Sequence, residues 1–141
     1  FGDYIRNLAR DLLRSYMSHP APIHLELQVA DLELAVDLVI PCGLIINELV
    51  SNAIKYAFAV SEPPANLPPD NQQITIGFGQ NQNQHYVLTI ADNGRGIPQT
   101  HPSSPQSLGL RLVDALVHQL RGNLVLDNTH GSLFCITFPS A

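Results

Sequence analysis

The chain has 141 residues, of which 45% are hydrophobic and 13% charged, and its formal net charge is −5. This length suits one domain, and the composition is sufficient to bury a core. The negative charge and the seven basic residues argue against a nucleic-acid or anionic-membrane surface, which needs clustered lysine and arginine. Cys42 and Cys135 lie far apart in apolar segments, which favours two buried thiols over a disulfide framework or a zinc site.

Neither a signal peptide nor an apolar run long enough to span a bilayer is evident from the sequence. The chain begins at Phe1, without a methionine and within a helical pattern. We therefore interpret it as a fragment of a longer, cytoplasmic region. The interpretation leaves open a membrane anchor elsewhere in the parent protein.

The predicted elements of the first half start with a helix over residues 3–18, where apolar residues recur at helical spacing between three arginines. Alternation over 23–29 predicts a half-buried strand, and a short extended piece is expected near 34–36. The next helix is predicted over 38–59. Asp37 is its expected N-cap, which places a proline in the first turn, where its missing N–H costs nothing.

The second half starts with a loop rich in proline, asparagine and glutamine, then two strands over 74–79 and 85–92. A polar segment rich in glycine, proline and serine follows. The last helix is predicted over 108–120, with Ser107 as its N-cap and Gly122 closing it. A final hairpin, "NLVLDN" with "LFCITF", ends the chain.

The order of these elements predicts the fold class. Strands occur in adjacent pairs and do not alternate strictly with helices, which favours a mixed, mostly antiparallel sheet. We therefore predict an α+β fold, a two-layer α/β sandwich with helices covering one face of the sheet. A doubly wound parallel sheet is disfavoured.

The stretch "NELVSNAIKY", residues 47–56, segregates its polar side chains to one side of the predicted helix. At about 100° per residue, an arc of about 140° holds Asn47, Glu48, Ser51, Asn52 and Lys55. A solvated face is the ordinary explanation of such a stripe. However, asparagine is a mediocre helix former, and a carboxylate with two amides and an ammonium suits hydrated Mg²⁺ beside phosphates. The stripe alone leaves both explanations open.

Asp92 ends an apolar strand and is followed by Gly94 and Gly96. A plain turn is the simpler explanation, but a long polar segment follows in place of a partner strand. An ionised carboxylate only accepts hydrogen bonds, so it would select the amino group of adenine over the carbonyl oxygen of guanine. Gly109, expected in the first turn of the last helix, would let N–H groups approach an anion. Residues 98–106 would form a lid or an ordinary loop.

Together these segments resemble the ATP-binding domain of sensor histidine kinases, a Bergerat-type fold shared with type II topoisomerases, 90-kDa heat-shock chaperones and mismatch-repair ATPases. "NELVSNAIKYAF" resembles the asparagine box, "DNGRGIP" the first glycine box and "SLGLRLVDALVHQLRGNL" the second. "HGSLFCITFP" is similar to the closing strand of that fold. The resemblance covers residues 23–139 and favours the subgroup whose acceptor domain carries an H-R-x-K-N type motif.

The resemblance implies roles for the polar stripe. Asn52 would coordinate Mg²⁺, and Asn47 would lie beside the phosphates or the metal. Glu48 would act as general base or proton relay, and Lys55 would neutralise phosphate charge. Further contacts with the nucleotide are implied for Tyr56, Asp92, Gly94, Gly96, Ile97, Leu108, Gly109, Leu110 and Ser132.

Within that set, the resemblance places Tyr56 on the sugar or base side, Asp92 against the adenine amino group and Ser132 near the adenine. It places phosphate at Gly109. The second box often has a glycine where this chain has Ser107, and the lid lacks the phenylalanine of many relatives.

The implied function is a protein-histidine kinase domain that binds ATP with Mg²⁺ and supplies the γ-phosphate to a histidine on an adjacent domain. The implied partners are that phosphoacceptor domain and a downstream response regulator, in a homodimeric parent that binds no nucleic acid. No acceptor histidine motif is present in the chain. Residues 1–20 are interpreted as the trailing helix of the missing dimerisation and phosphoacceptor region, and 21–141 as the ATP-binding domain. A stand-alone anti-sigma-factor serine kinase and a non-catalytic nucleotide-sensing module stay open as alternatives.

Overall fold

A computed structural model describes residues 1–15, 23–57, 72–94, 105–128 and 131–140. In chain order these residues form α1 (Gly2–Ser15), β1 (Ile23–Val29), α2 (Val36–Asn52) with a π-helical turn (Ala53–Ala57), β2 (Gln72–Gln80), β3 (Tyr86–Asp92), α3 (Pro105–Gln119), β4 (Asn123–Asp127) and β5 (Ser132–Phe138). The side chains of residues 56, 57 and 105–107 are not among those described.

The five strands form one sheet in the order β1-β2-β3-β5-β4. β1 pairs with β2 in parallel, and the other three pairings are antiparallel. Side chains on the strands alternate between buried or half-buried and more exposed positions, and the buried ones face the helices. The predicted α+β sandwich with a mixed, mostly antiparallel sheet is therefore confirmed.

The core lies between the helices and the sheet. Ile46 of α2, Val113 of α3 and Leu88 of β3 are fully buried in it. α1 contributes to the same core, because Ile5 and Ala9 are also fully buried. Burial of one isoleucine side chain contributes roughly 1.5–3 kcal/mol. The assignment of this helix to an acceptor region of the parent stays a prediction, but within this chain it packs as part of the domain.

Both cysteines are free, as predicted, but only Cys42 is buried as the prediction required. Cys42 lies in the core, and burial raises the pKa of its thiol to about 12. Cys135 is only half-buried, because it lies on the side of β5 that faces away from the helices.

The start of α2 differs from the prediction. The expected extended piece near 34–36 is wrong, because Val36 already begins the helix. The N-cap position is Ala35, which has no side chain that could cap, so Asp37 lies in the first turn instead. A carboxylate there is favoured by the helix dipole without capping it. Pro41 consequently falls in the second turn, where its missing N–H leaves the carbonyl of Asp37 without the usual helical partner.

α3 begins three residues earlier than predicted, at Pro105. Proline is well tolerated at a first helical position, since its N–H would be unpaired there in any case. Ser107 is therefore the third residue of the helix and not its N-cap. Gly109 is the fifth residue, in the second turn, so the four N–H groups that a helix leaves unpaired at its start precede it.

The end of α3 also closes differently. Arg121 takes the left-handed conformation, with φ 56°, and its N–H donates to the carbonyl of His118 at 2.9 Å. The N–H of Gly122 donates to the carbonyl of Val117 at 2.9 Å. Gly122 is required for a different reason: a Cβ there would lie 2.8 Å from the carbonyl oxygen of Thr137 on β5. It lets the chain turn closely over the sheet.

The segment Val36–Lys55 is long and apolar enough to cross a membrane by length and composition, with mean hydropathy 1.4. The expectation that no run in the sequence meets that criterion is therefore wrong. Within the fold, 56% of the segment's most apolar window is buried. The core helix of a domain passes the same test, and α2 is that helix here.

Candidate functional site

The first part of the site lies where β3 ends beside the start of β5. Asp92 pairs with Ser132 in the strand register. The Oγ of Ser132 donates to Oδ2 of Asp92 at 2.5 Å, and the backbone N–H of Gly94 donates to Oδ1 at 3.0 Å. We call Asp92, Gly94 and Ser132 the strand cluster. The structure therefore brings together three residues that the sequence singled out separately.

The charge state of the strand cluster depends on opposing effects at Asp92. Burial raises the pKa of its carboxyl group, because the charged form loses hydration. Hydrogen bonds from Ser132 and Gly94 lower the pKa and offset part of that rise. Each carboxylate oxygen has two lone pairs, so the group retains the capacity to accept a further hydrogen bond.

Gly131 shapes this cluster and was not singled out as a site residue from the sequence. Its φ of +83° is favourable only for glycine, and a Cβ there would collide with the backbone carbonyl oxygen of Asp92. The same Cβ would lie 3.0 Å from the Cα of Asn93. The close approach of the two strands therefore needs a glycine. The available signal was its place directly before Ser132 in the closing strand motif.

The second part of the site lies on the polar stripe of α2. Asn47, Glu48 and Asn52 are half-buried, and Ser51 is only 8% exposed. An ordinary solvated face would leave such groups in water. Nδ2 of Asn52 is buried and has no hydrogen-bond partner among the described residues. The stripe therefore includes an amide that is positioned but unsatisfied.

Gly109 of α3 lies directly against this stripe. A Cβ on Gly109 would lie 2.9 Å from Oε2 of Glu48 and 3.5 Å from Nδ2 of Asn52. The absence of a side chain therefore leaves the space next to both polar groups open. We call Glu48, Asn52 and Gly109 the helix cluster. It joins residues more than fifty positions apart in sequence.

An open cavity of about 490 Å³ adjoins the helix cluster, lined by Glu48, Leu108, Gly109, Arg111 and Leu112. Leu108 is 67% exposed at its rim. Leu110, which was predicted to contact the nucleotide, is half-buried and packs against the core. The structure thus places Leu108 beside the polar groups and Leu110 on the other side of the helix.

Lys55 is exposed within the π-helical turn that follows Asn52. π-helical turns are often found at functional sites. Three other predicted features, Gly96, Ile97 and the side chain of Tyr56, lie outside the described residues, as does most of the expected lid.

The donor set fits a hydrated divalent cation with phosphates. The amide oxygen of Asn52 and the carboxylate of Glu48 are oxygen ligands of the type that Mg²⁺ prefers, and Mg²⁺ commonly keeps several waters and phosphate ligands. The unpaired Nδ2 of Asn52 is a donor that suits a phosphate oxygen. Within the described ranges, no group of three or more His, Cys, Asp or Glu could hold a metal. A cation here would therefore take one or two oxygens from the protein and complete its shell with phosphate and water oxygens.

Comparison with known proteins agrees with this geometry. Residues 39–141 match the family described as histidine kinase-, DNA gyrase B-, and HSP90-like ATPase. The chain belongs to this family. Membership of an ATPase family implies that the domain binds ATP. No curated protein matches the chain in sequence.

Solved structures of histidine kinases share the fold. The blue-light activated histidine kinase of Erythrobacter litoralis EL346 superposes with a TM-score of 0.81 at 22% identity, covering 99% of this chain and 41% of that one. The mycobacterial sensor histidine kinase MprB superposes with a TM-score of 0.70 at 20% identity, covering 97% of this chain and 93% of that one. Full-length ShkA, solved in complex with AMPPNP, superposes with a TM-score of 0.73 at 15% identity, covering 99% of this chain and 30% of that one. The chain therefore spans less than half the length of the light-activated kinase.

Proposed function

We propose that this chain is the catalytic domain of a two-component sensor histidine kinase. In this role it binds ATP with Mg²⁺ and supplies the γ-phosphate to a histidine on an adjacent domain. The observation that carries the proposal is the helix cluster, where Gly109 meets Glu48 and Asn52 beside an open cavity. Family membership supports the nucleotide, and the histidine kinases among the similar structures support the type of reaction.

The strand cluster would bind the base. Asp92 would accept a hydrogen bond from the 6-amino group of adenine, while Ser132 and Gly94 hold its carboxylate in place. Guanine would present a carbonyl oxygen to the same acceptor and would be rejected. Gly131 permits this arrangement, because any Cβ there would collide with the carbonyl oxygen of Asp92.

The helix cluster would hold the phosphates and the metal. Asn52 would coordinate Mg²⁺ through its amide oxygen, with Asn47 beside it on the same stripe. Bound Mg²⁺ neutralises charge on the phosphate oxygens, which is a main requirement of phosphoryl transfer. Lys55 would counter the remaining charge. Glu48 would orient the incoming group or accept its proton.

The remaining partners of the proposal belong to the parent protein. We infer an acceptor histidine domain, a downstream response regulator and a homodimeric, cytoplasmic assembly. The light-activated kinase is more than twice as long as this chain, which leaves room for such regions in a relative. ShkA was solved with AMPPNP, an ATP analogue, which supports ATP as the ligand here.

Calorimetric titration of the chain with ATP and Mg²⁺ tests the proposal. We expect binding by the wild type and a loss of about 10- to 100-fold in Asp92→Asn, because a hydrogen bond to a charged acceptor contributes about 1.5–3 kcal/mol. Asp31→Asn is the matched control, since Asp31 is exposed beyond the other end of the sheet. No binding by the wild type would leave only a non-nucleotide role for the chain. Unchanged affinity in Asp92→Asn would refute the adenine assignment.

A further inference from the structure

The helix-facing side of the sheet changes from apolar to polar side chains at one end. Along β2, β3 and β5 its buried side chains are isoleucine, leucine, phenylalanine and tyrosine. At the edge where β2 begins, β3 ends and β5 begins, the three strands carry Gln72, Asp92 and Ser132 instead. Asp92 and Ser132 belong to the strand cluster. Gln72 is the one member of this row to which no role has been assigned.

The strand register places Gln72 next to Asp92. Ile74 pairs with Asp92, and Gln72 lies two residues earlier on the same side of β2. The backbone contact continues beyond that pair, because the N–H of Asn93 donates to the carbonyl of Gln73 at 3.3 Å. Side chains at such diagonal positions are roughly 7–8 Å apart at the backbone, within reach of a long side chain.

Gly94 lies just beyond this corner. β3 ends at Asp92, and the N–H of Gly94 turns back to donate to Oδ1 of Asp92 at 3.0 Å, so Gly94 brings no side chain to this edge. Gln72 and Asp92 therefore lie on the same face of the sheet at the same edge, on neighbouring strands.

Gln72 is 3% exposed, and its Oε1 is buried without a hydrogen-bond partner among the described residues. Unpaired buried acceptors are uncommon in native proteins and destabilise the fold that contains them. Asp92 and Ser132, its neighbours in the row, are hydrogen-bonded to each other. The acceptor of Gln72 is thus the group in this row that a ligand would satisfy.

We propose that Gln72 is a second adenine-recognition residue. This inference rests on the proposed ATP site. The 6-amino group has two hydrogens, of which Asp92 accepts one and Oε1 of Gln72 accepts the other. The NH₂ of Gln72 then donates to a ring nitrogen beside that amino group. A carboxamide offers an acceptor and a donor side by side, which is the complement of an adenine edge.

Discrimination against guanine would still depend on Asp92. Guanine places a carbonyl oxygen where adenine has its amino group, and an ionised carboxylate has no hydrogen to donate to it, whereas the carboxamide of Gln72 can turn to present its NH₂. Gln72 would therefore add affinity for adenine, while Asp92 would reject guanine.

The test compares two nucleotides that differ only at this amino group. Gln72→Met removes the amide and keeps the length of the side chain. Calorimetry with Mg²⁺ should show about tenfold weaker binding of ATP by the variant. Purine riboside triphosphate lacks the 6-amino group. The variant should therefore bind it no more than about threefold more weakly than the wild type binds it.

Gln73→Met is the matched control. The side chain of Gln73 points to the opposite side of the sheet, where its Nε2 donates to Glu26 at 2.7 Å. Both nucleotides should bind this variant as they bind the wild type. If Gln72→Met unfolds, Gln72→Asn retains a buried amide but shortens it by one methylene, and the same selective loss of ATP is expected.

Equal weakening of both nucleotides by a folded Gln72 variant would overturn the inference, since it would indicate only structural support of the pocket. Unchanged ATP affinity would overturn it as well. In either case normal ATP binding by the wild type would leave the proposed function intact. A wild type that binds neither nucleotide would overturn the proposed function and this inference with it.

Discussion

The strand cluster and the helix cluster are built in opposite ways. In the strand cluster, Asp92 accepts a hydrogen bond of 2.5 Å from Ser132 on the neighbouring strand and one of 3.0 Å from the N–H of Gly94, two residues further along the chain. In the helix cluster, α2 and α3 bring Asn52 close to Gly109, but an amide donor stays unpaired beside an open cavity of about 490 Å³. One cluster is already satisfied within the protein, and the other is not.

This difference indicates how binding energy would be divided. A preformed hydrogen-bonded group loses little conformational freedom on binding, so it favours selectivity for one base. An unpaired buried donor regains a hydrogen bond only when a ligand arrives, so its contribution appears as affinity for that ligand. We therefore expect the strand cluster to determine which nucleotide binds, and the helix cluster to determine how strongly the metal and phosphates bind.

The largest effect is expected from Gly131→Ala, which would break the strand cluster. The backbone there has φ +83°, and the added Cβ would collide with the carbonyl of Asp92. Strain of this kind costs on the order of 1–3 kcal/mol, and displacement of Asp92 would add to it. Urea unfolding should show the loss of stability, and calorimetry should show loss of ATP binding.

Gly79→Ala is the control for that substitution. Gly79 also lies in a strand of the sheet, but a Cβ there would meet nothing within 4 Å. The free energy of unfolding of Gly79→Ala should stay within about 0.5 kcal/mol of that of the wild type. Equal destabilisation by both substitutions would show that the special conformation of Gly131 is unimportant.

The next effect tests the helix cluster. Asn52→Ala should abolish the Mg²⁺ dependence of ATP binding and lower the affinity in Mg²⁺ by about tenfold, because the amide that would bind metal and phosphate is lost. Calorimetry with and without Mg²⁺ measures this. Asn7→Ala, an exposed position on α1, is the helical control. A Mg²⁺ requirement that survives in Asn52→Ala would remove Asn52 from the metal site.

The smallest effect concerns the protonation of Asp92. Burial raises the pKa of its carboxyl group, so the folded state binds a proton more readily than the unfolded chain does. The resulting stability is fully present below the unfolded pKa, about 3.9, and is lost as pH rises through the folded pKa. The variant Asp92→Asn has no titratable group at this position. Urea unfolding at stepped pH should therefore show the wild type losing stability relative to Asp92→Asn as pH rises above about 4. The opposite slope would mean that the hydrogen bonds from Ser132 and Gly94 outweigh burial.

The sequence predicted those features that depend on local periodicity. The apolar spacing of α2 and the alternation in β1 and β3 located these elements to within a few residues. The polar stripe also followed from helical rotation alone, and the partial burial of Asn52 and Ser51 agrees with it. Patterns of this type are repeated over many residues, so single deviations do not hide them.

The missed features depend on single residues or distant contacts. The start of α3 was placed too late because Pro105 belongs to a segment with the composition of a loop, although proline suits a first helical position. The conformation of Gly131 and the pairing of Asp92 with Ser132 are set by strand register across forty residues. Local propensity contains no information on that register.

The π-helical turn at Ala53–Ala57 makes chain length itself a determinant of the site. Such a turn forms when an α-helix accommodates one extra residue, since each N–H then reaches back five positions and not four. Deleting one residue here would restore regular winding without changing the phase of the flanking helix, because the extra residue is what the wide turn absorbs. The residues inside the turn are the ones whose positions relative to Asn52 would change, and Lys55 is one of them. The position of the ammonium relative to the amide therefore depends on the number of residues in this turn as well as on their identity.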